Sequence, residues 1–405
     1  MKKQLIALAC LGSVADLVVA QSKVDVYGIL DSGLAYTTAV AAPTADAPTA
    51  HGGRAVIHSG LLQASRFGFR GSESLGGNLK ALFVLEGGLN LDTGTSGQGG
   101  AIFGRRSVLG LVGDHGDLQL GRRKDFSDEI ASQYSSITPF GTFITAVHGN
   151  NLDRIGGNRA NNMVYYSTPT MHGFRANITY GFGESVGSNT IGQSLGLGGN
   201  YADGPFAIGA AYWQSRKGNV TQTANSSSDQ GASSGAGCHS VDIGRPGDVC
   251  IKTWIAGARY KWDKLSVRGT YSRVIQGLIV DAGPAAPDFV KTFKSTAGSG
   301  AFTAGGSNNR HIAIVDVGLD YLIGNKGKLK ASYIQSRYDF VGANDTGTLA
   351  QIIVGGEYYL SKRTTLYATA STMTASNMYS PGILNGAPGG ADDTAAFGAG
   401  LRIVY

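Results

Sequence analysis

The chain has 405 residues, of which 62 are glycine and only 15% are charged, and its formal net charge is +6. Glycine at about twice its usual share disfavours helices, and no apolar run approaches the roughly 18 residues of a membrane-crossing helix. A charge this mild, spread without a patch, excludes a nucleic-acid binder, and with no proline-rich linker or charge block one domain is expected.

Residues 1–20 read as a secretory signal: Lys2 and Lys3, the apolar stretch from Leu5 to Ala15, and Val18-Val19-Ala20 as a small-residue cleavage site. Asp16 is out of place in such a segment. Residues 21–405 would then form the exported domain. Of the three cysteines, Cys10 lies in the signal, while Cys238 and Cys250 share a polar stretch and in an exported chain permit a disulfide. With only His239 nearby they are too few for zinc, and no metal or cofactor is expected.

From residue 24 onward, segments of about ten residues alternate in character. Val24, Val26, Gly28 and Leu30 oppose Asp25, Tyr27 and Asp31; Phe174, Ala176, Ile178 and Tyr180 oppose Arg175, Asn177 and Thr179. Leu265, Val267, Gly269 and Tyr271 oppose Ser266, Arg268, Thr270 and Ser272, and Ile352, Val354 and Tyr358 oppose Gln351, Glu357 and Tyr359. The apolar faces end in aromatic residues, as in Trp254-Ala256-Ala258-Tyr260-Trp262, which suits a lipid-facing band with interfacial aromatic girdles. Alternation is imperfect around 103–122, 191–202 and 328–340.

Connections alternate in length. Short turns at 72–77, 114–116, 168–172, 203–205, 263–264, 324–327 and 361–363 take turns with longer loops near 38–56, 92–102, 123–160, 183–190, 217–250, 278–308, 341–348 and 376–393. Short on one side and long on the other is the pattern of an outer-membrane barrel, and these connections predict sixteen strands. The last segment sets Phe397, Ala399, Leu401, Ile403 and Tyr405 on one face. An aromatic end in mid-strand is expected where the last strand must close on the first, with Tyr405 at the seam.

The connection 123–160 differs from the others. It opens with Asp125, Asp128 and Glu129, passes through Pro139-Phe140-Gly141 and closes with Asp153, Arg154 and Arg159, without the alternation found on either side. Between Ile130 and Leu152 it has no Asp, Glu, Lys or Arg, and His148 is its lone histidine. It is expected to fold inward and narrow the barrel. A G-x-S-x-G pattern at Gly192–Gly196 lies in a glycine-rich strand segment rather than at a strand–helix turn, so a hydrolase reading has little behind it.

The order of several short motifs resembles the Gram-negative general porins, the beta-proteobacterial type in particular. They are Val24-Asp25-Val26-Tyr27-Gly28, the run Ser65-Arg66-Phe67-Gly68-Phe69-Arg70-Gly71-Ser72-Glu73, Phe103-Gly104-Arg105-Arg106 leading to Gly110-Leu111, Leu120-Gly121-Arg122, Pro139-Phe140-Gly141 and the aromatic C-terminus. The resemblance implies an all-β transmembrane antiparallel barrel of about sixteen strands in the cell outer membrane, assembled as a homotrimer, surrounded by lipid and inserted by the barrel-assembly machinery through its last strand. It further implies a third loop in the pore, faced by wall arginines that fall on Arg66, Arg105 and Arg159. Local phase adds Arg70 to the lumen side with Arg66, and implies that one of Arg105 and Arg106, and one of Arg122 and Arg123, points inward. A departure from enterobacterial relatives is Pro139 where a glutamate precedes the loop Phe-Gly.

A basic wall opposite a nearly neutral loop favours anions among small hydrophilic solutes. The bland alternative for the arginines is to balance lumen acids such as Asp31, Glu73 and Glu86. The functional alternatives are a channel tuned to small organic anions, or, in a different class, a barrel hydrolase or adhesin.

Overall fold

The computed structural model describes residues 23–41, 51–144, 147–148, 153–154, 159–184, 186–187, 189, 192–216, 251–276, 309–340, 346–378, 380, 382–384 and 391–405. Residues 1–20, expected to be a signal segment, and the cysteines Cys238 and Cys250 lie outside the described residues. The first half of the sheet comprises β1 (Lys23–Ala41), β2 (His51–Ser59), β3 (Arg66–Gly76), β4 (Leu79–Gly88), β5 (Arg106–Gly113), β6 (Gly116–Lys124), β7 (Arg159–Ser167), β8 (Phe174–Gly181) and β9 (Ser194–Asp203). The second half comprises β10 (Phe206–Ser215), β11 (Ile251–Trp262), β12 (Leu265–Gln276), β13 (Asn309–Ile323), β14 (Gly327–Phe340), β15 (Thr346–Tyr359), β16 (Thr364–Ser376) and β17 (Asp393–Val404). From β3 onward each strand pairs antiparallel with the next, and six of the seven short turns fall where the sequence places them; the first lies at Gly77-Asn78 rather than 72–77, because β3 runs on to Gly76.

The sheet closes. β17 pairs with β1 from Ile29↔Val404 to Thr37↔Ala396, and Gly28 and Tyr405 exchange backbone hydrogen bonds at 3.1 Å in both directions. Closure leaves no unpaired strand edge, which a lipid environment would not tolerate. On its other side β1 pairs with β3 through residues 23–29 and with β2 from Ser32 onward. β2 and β3 are therefore two halves of one barrel strand, and the barrel has sixteen.

Between those halves, residues 60–65 leave the sheet and carry Leu61 and Leu62 into the interior, where both are buried. The Asp31 carboxylate holds them there, accepting hydrogen bonds from the backbone N–H of Leu62 (3.5 Å) and Gln63 (3.0 Å). The first long loop is shorter than the alternation suggests. The register of β1 against β2 shifts between Thr37 and Val40, with Ala39 at φ 50°, and pairing then resumes as Val40↔Gly52. That bulge breaks the alternation and hides the strand's continuation.

The outward faces are apolar and exposed: Leu34 is 68% accessible, Ile352 57%, and on β11 Trp254 and Trp262 stand at the two ends of one face. The inward faces are not polar throughout. On the long-loop half of β11–β17 the inward Ile312, Ile314, Ile334, Leu349, Ile353 and Met373 are buried together with Ile144, Val147, Ile383 and Leu384 from the loops. Alternation is imperfect along β14 because Ile334 and Tyr338 are apolar on the inner face too.

Candidate pore constriction

The third loop folds into the barrel as a helix and a turn. Asp125 caps α1 (Phe126–Tyr134), its Oδ1 accepting from the Ser127 N–H at 2.7 Å. Phe126, Ile130 and Tyr134, four residues apart, form one buried stripe that packs toward Ala207, Ala211 and Ile255. The other side of the helix carries Asp128 and Glu129. A short second helix, α2 (Ile137–Phe140), is followed by a 3₁₀ turn over Gly141–Ile144.

Glycines on the inner wall make room for this course. A Cβ at Gly198 (β9) would meet Phe126, one at Gly209 (β10) Ile130, one at Gly257 (β11) Tyr134, one at Gly318 (β13) Ser136, one at Gly355 (β15) Phe140 and one at Gly398 (β17) Phe143. Loop 3 therefore lies along the wall from β9 to β17, seated where the strands have no side chain. Its far end rests on the inward residues 60–65, where the Thr142 N–H donates to the Leu61 carbonyl at 3.2 Å. Gly141, at φ 57°, is required there, because a Cβ would stand 2.3 Å from the Leu62 carbonyl oxygen.

Polar groups of the wall complete the attachment. Lys330 of β14 donates to the Pro139 carbonyl, lies 4.9 Å from the centroid of the Phe140 ring and pairs with Glu357 at 3.0 Å. Gln351 donates to the Phe143 carbonyl at 2.6 Å. Asp316 of β13 accepts from the Ser135 hydroxyl and the Ser136 N–H, both at 2.7 Å. His148 lies beside it, with Nε2 3.7 Å from Asp316 and Nδ1 2.8 Å from Asp153, whose carboxylate also accepts from Ser272 at 2.8 Å. Burial alone would push the His148 imidazole down, but the Asp153 carboxylate and Asp316 beyond it hold it above the ordinary histidine range.

The strands that loop 3 leaves uncovered carry the basic residues. Arg66, whose Nε donates to the Ala64 carbonyl at 3.0 Å, feels the charges of Arg105, Glu86 and Asp128. Arg105 pairs with Glu86 at 2.7 Å, and Arg159 donates from Nε to the Arg105 carbonyl at 2.8 Å. Three of the five basic residues picked from the sequence are thus brought together. Arg123 is adjacent on the inner face, its guanidinium 3.3 Å from the Tyr165 ring centroid and its Nη1 2.7 Å from Gln119. Arg70 stands apart, exposed toward the short-turn end and paired with Asp25 at 3.4 Å.

Parity alone misjudges one pair. Both Arg105 and Arg106 reach luminal partners, Glu86 and Gln119 (2.7 Å), because β5 begins at Arg106 and Arg105 precedes the pleat. Arg122 and Arg123 do separate: Arg122 shares the face of Leu118 and Leu120 and donates to the Gly104 carbonyl and to Asn161. Glu73 lies on the outward face with Phe67 and Phe69, so it is not a lumen acid.

Of the loop acids, Asp125 is buried against Arg154, whose guanidinium lies 4.1 Å from the Trp213 ring centroid. Asp128 pairs with Lys124, and Glu129 accepts from Tyr165 at 2.9 Å and lies 3.4 Å from Arg175. Lys124, Lys330 and Asp316 were not singled out from the sequence, and Arg154 was named only at the close of the loop. The four-residue spacing of Phe126, Ile130 and Tyr134 is the signal that would have revealed α1.

A closed barrel with an apolar outer face and a loop seated across its lumen defines a transmembrane diffusion channel. The chain belongs to the Gram-negative porin family, whose profile matches residues 7–377. It is 29% identical over 393 residues to an outer membrane porin protein of Bordetella pertussis, covering 92% of this chain and 94% of that one. Among solved structures it is similar to an anion-selective porin from Comamonas acidovorans, with a TM-score of 0.67 at 23% identity, covering 95% and 100% of the two chains. It is also similar to OmpT, an outer membrane protein of Vibrio cholerae, in its trimer form, with a TM-score of 0.60 at 16% identity, covering 95% and 99%. The chain is an integral outer-membrane protein.

Proposed function

We propose that this porin conducts small hydrophilic solutes by passive diffusion with a preference for anions, residues 123–160 setting the width of the passage and Arg66, Arg105 and Arg159 the field across it. No chemical step is involved. The observation that carries this reading is the excess of fixed positive charge on the uncovered wall. Arg66, Arg105, Arg106, Arg123, Lys124 and Arg159 are gathered around Glu86, Asp128 and Glu129. Ion pairs neutralise part of the set, and the remainder concentrates anions in a narrow aqueous path between low-dielectric walls. Arg70, held by Asp25 away from this group, contributes at the mouth rather than at the narrowest level.

Three copies are expected to assemble, as in the trimer form of the Vibrio cholerae neighbour, and the C-terminal strand ending at Tyr405 would present the signal read by the barrel-assembly machinery. The test of the channel reading is the zero-current potential of the purified protein in a planar bilayer under a salt gradient. An anion-directed sign is expected. A cation-directed sign would show that Asp128, Glu129 and Glu86 outweigh the arginines.

A further inference from the structure

The outward face of the barrel carries a second basic group, remote from the pore. On β12 Arg273 shares its face with Tyr271, and on β14 Arg337 shares its face with Tyr333, both tyrosines being exposed to the membrane. Arg273 is in register with Ala313 of β13, and Ala313 with Arg337. The two guanidinium-bearing residues therefore stand on one transverse row, with Cα atoms about 10 Å apart across the small Ala313. One rung nearer the strand ends, Lys252 of β11 is in register with Ile275, Ile275 with His311 and His311 with Asp339. Asp339 lies 3.6 Å from Arg337 and 3.8 Å from His311.

All of these residues lie at the long-loop end of their strands: Arg273 and Arg337 each stand three positions before the end of β12 and β14. At the short-turn end of the same strands the outward rungs carry Tyr260, Trp262, Tyr321 and Leu329 instead. A guanidinium facing lipid is costly at the bilayer midplane and close to free at the interface. The row thus stands where charge is tolerated, at the level of Trp254, which is in register with Arg273. Immediately inward from it Tyr271, Val315 and Val317 form an exposed apolar strip.

We propose that this face binds a lipid of the outer leaflet whose headgroup carries phosphate groups. Arg273 and Arg337 grip the phosphates, Lys252 adds charge from the rung above, and an acyl chain lies along Tyr271, Val315 and Val317. Arginine suits this role because its fork meets two phosphate oxygens at once. Arg273 makes no ion pair among the described residues, and Arg337 has only the exposed Asp339. Basic clusters at a membrane interface act on anionic headgroups in this way. The asymmetry between the two ends assigns the lipid to one leaflet, the one beneath the long loops.

The test uses the purified full-length protein in detergent, titrated with bisphosphorylated lipid A and with phosphate-free lipid A, bound lipid being counted by native mass spectrometry. The bisphosphorylated form is expected to bind at least tenfold more tightly than the phosphate-free form. The Arg273→Gln/Arg337→Gln pair is expected to lose about that factor. Both side chains point away from the pore and from the sheet's hydrogen bonds, so heat-dependent gel mobility and single-channel conductance stay unchanged in the variant. Arg363→Gln, in the turn at the opposite rim, serves as the control for nonspecific charge and should retain binding. Equal binding of both lipids, or an unchanged affinity in the double variant, overturns the proposal. So does full displacement of the lipid by millimolar inorganic phosphate, which would mark a site for the free anion.

Discussion

Tyr367 of β16 reaches across β17 to donate a 2.7 Å hydrogen bond to Asp31 of β1. It crosses over Gly400, where a Cβ would meet the tyrosine hydroxyl at 2.3 Å. The same carboxylate holds residues 60–65 in the lumen, and those residues support the far end of loop 3. One buried acid therefore ties the barrel seam to the element that narrows the pore.

Removing the hydroxyl with Tyr367→Phe leaves Asp31 short of one partner. The expected loss is about 1.5–3 kcal/mol, the range for a hydrogen bond to a charged group. It should be read by urea unfolding in lipid vesicles and accompanied by greater open-channel noise. An unchanged midpoint would mean that the backbone N–H groups of Leu62 and Gln63 suffice.

The seat at Gly198 predicts a steric dependence of conductance. In Gly198→Val the added side chain collides with the Phe126 ring, which a Cβ alone already meets at 1.9 Å. Helix α1 is pushed toward the basic wall, and single-channel conductance falls. Adding Phe126→Ala should restore much of it, since the two residues share one space. Equal conductance in all three proteins would separate the wall glycines from pore width.

Arg66→Glu changes the local charge by two units at the uncovered wall. The zero-current potential is expected to move toward cations with the barrel still intact by heat-dependent gel mobility. The same reversal at Arg70 should do far less, because Arg70 is exposed beside Asp25 and Lys23. Equal effects at the two positions would refute the assignment of the field to the Arg66, Arg105 and Arg159 group.

His148 gives the loop a pH dependence. Its folded pKa lies above its unfolded value of about 6.5, so its contribution to stability is complete below that value. It is lost as the pH rises through the folded pKa. Loop 3 is expected to be held most firmly below that unfolded value and to loosen as the pH rises through the folded pKa, seen as rising current noise. His148→Gln should flatten that trend; a noise profile identical to that of the unchanged protein would rule the imidazole out as its source.

The barrel was legible because its signals are local. Alternation, turn chemistry and aromatic ends are written within ten residues of each other, and strand β1 or β11 can be recognised on its own. The connection 123–160 stood out by its lack of alternation, while Arg66, Arg105 and Arg159 were placed beside it by the resemblance. The attachments of that connection were not legible, because each joins residues far apart in sequence. Ser135 and Asp316 are 181 positions apart and Gln351 and Phe143 are 208 apart. A glycine such as Gly355 shows nothing in the sequence of the phenylalanine that rests on it. Parity also fails where a strand begins or bulges, as at Arg105 and Ala39.

The order in which the chain is made gives those seats a further meaning. Phe126, Phe140 and Phe143 are synthesised well before the strands bearing Gly198, Gly355 and Gly398, and contacts of such long separation form late. Until β15 and β17 are in place Phe140 and Phe143 lack their seats, and exposed apolar surface of this kind favours aggregation. The far end of the loop, which rests on Gly355 and Gly398, can be seated only once β15 and β17 are in place, so the passage reaches its final width late in assembly.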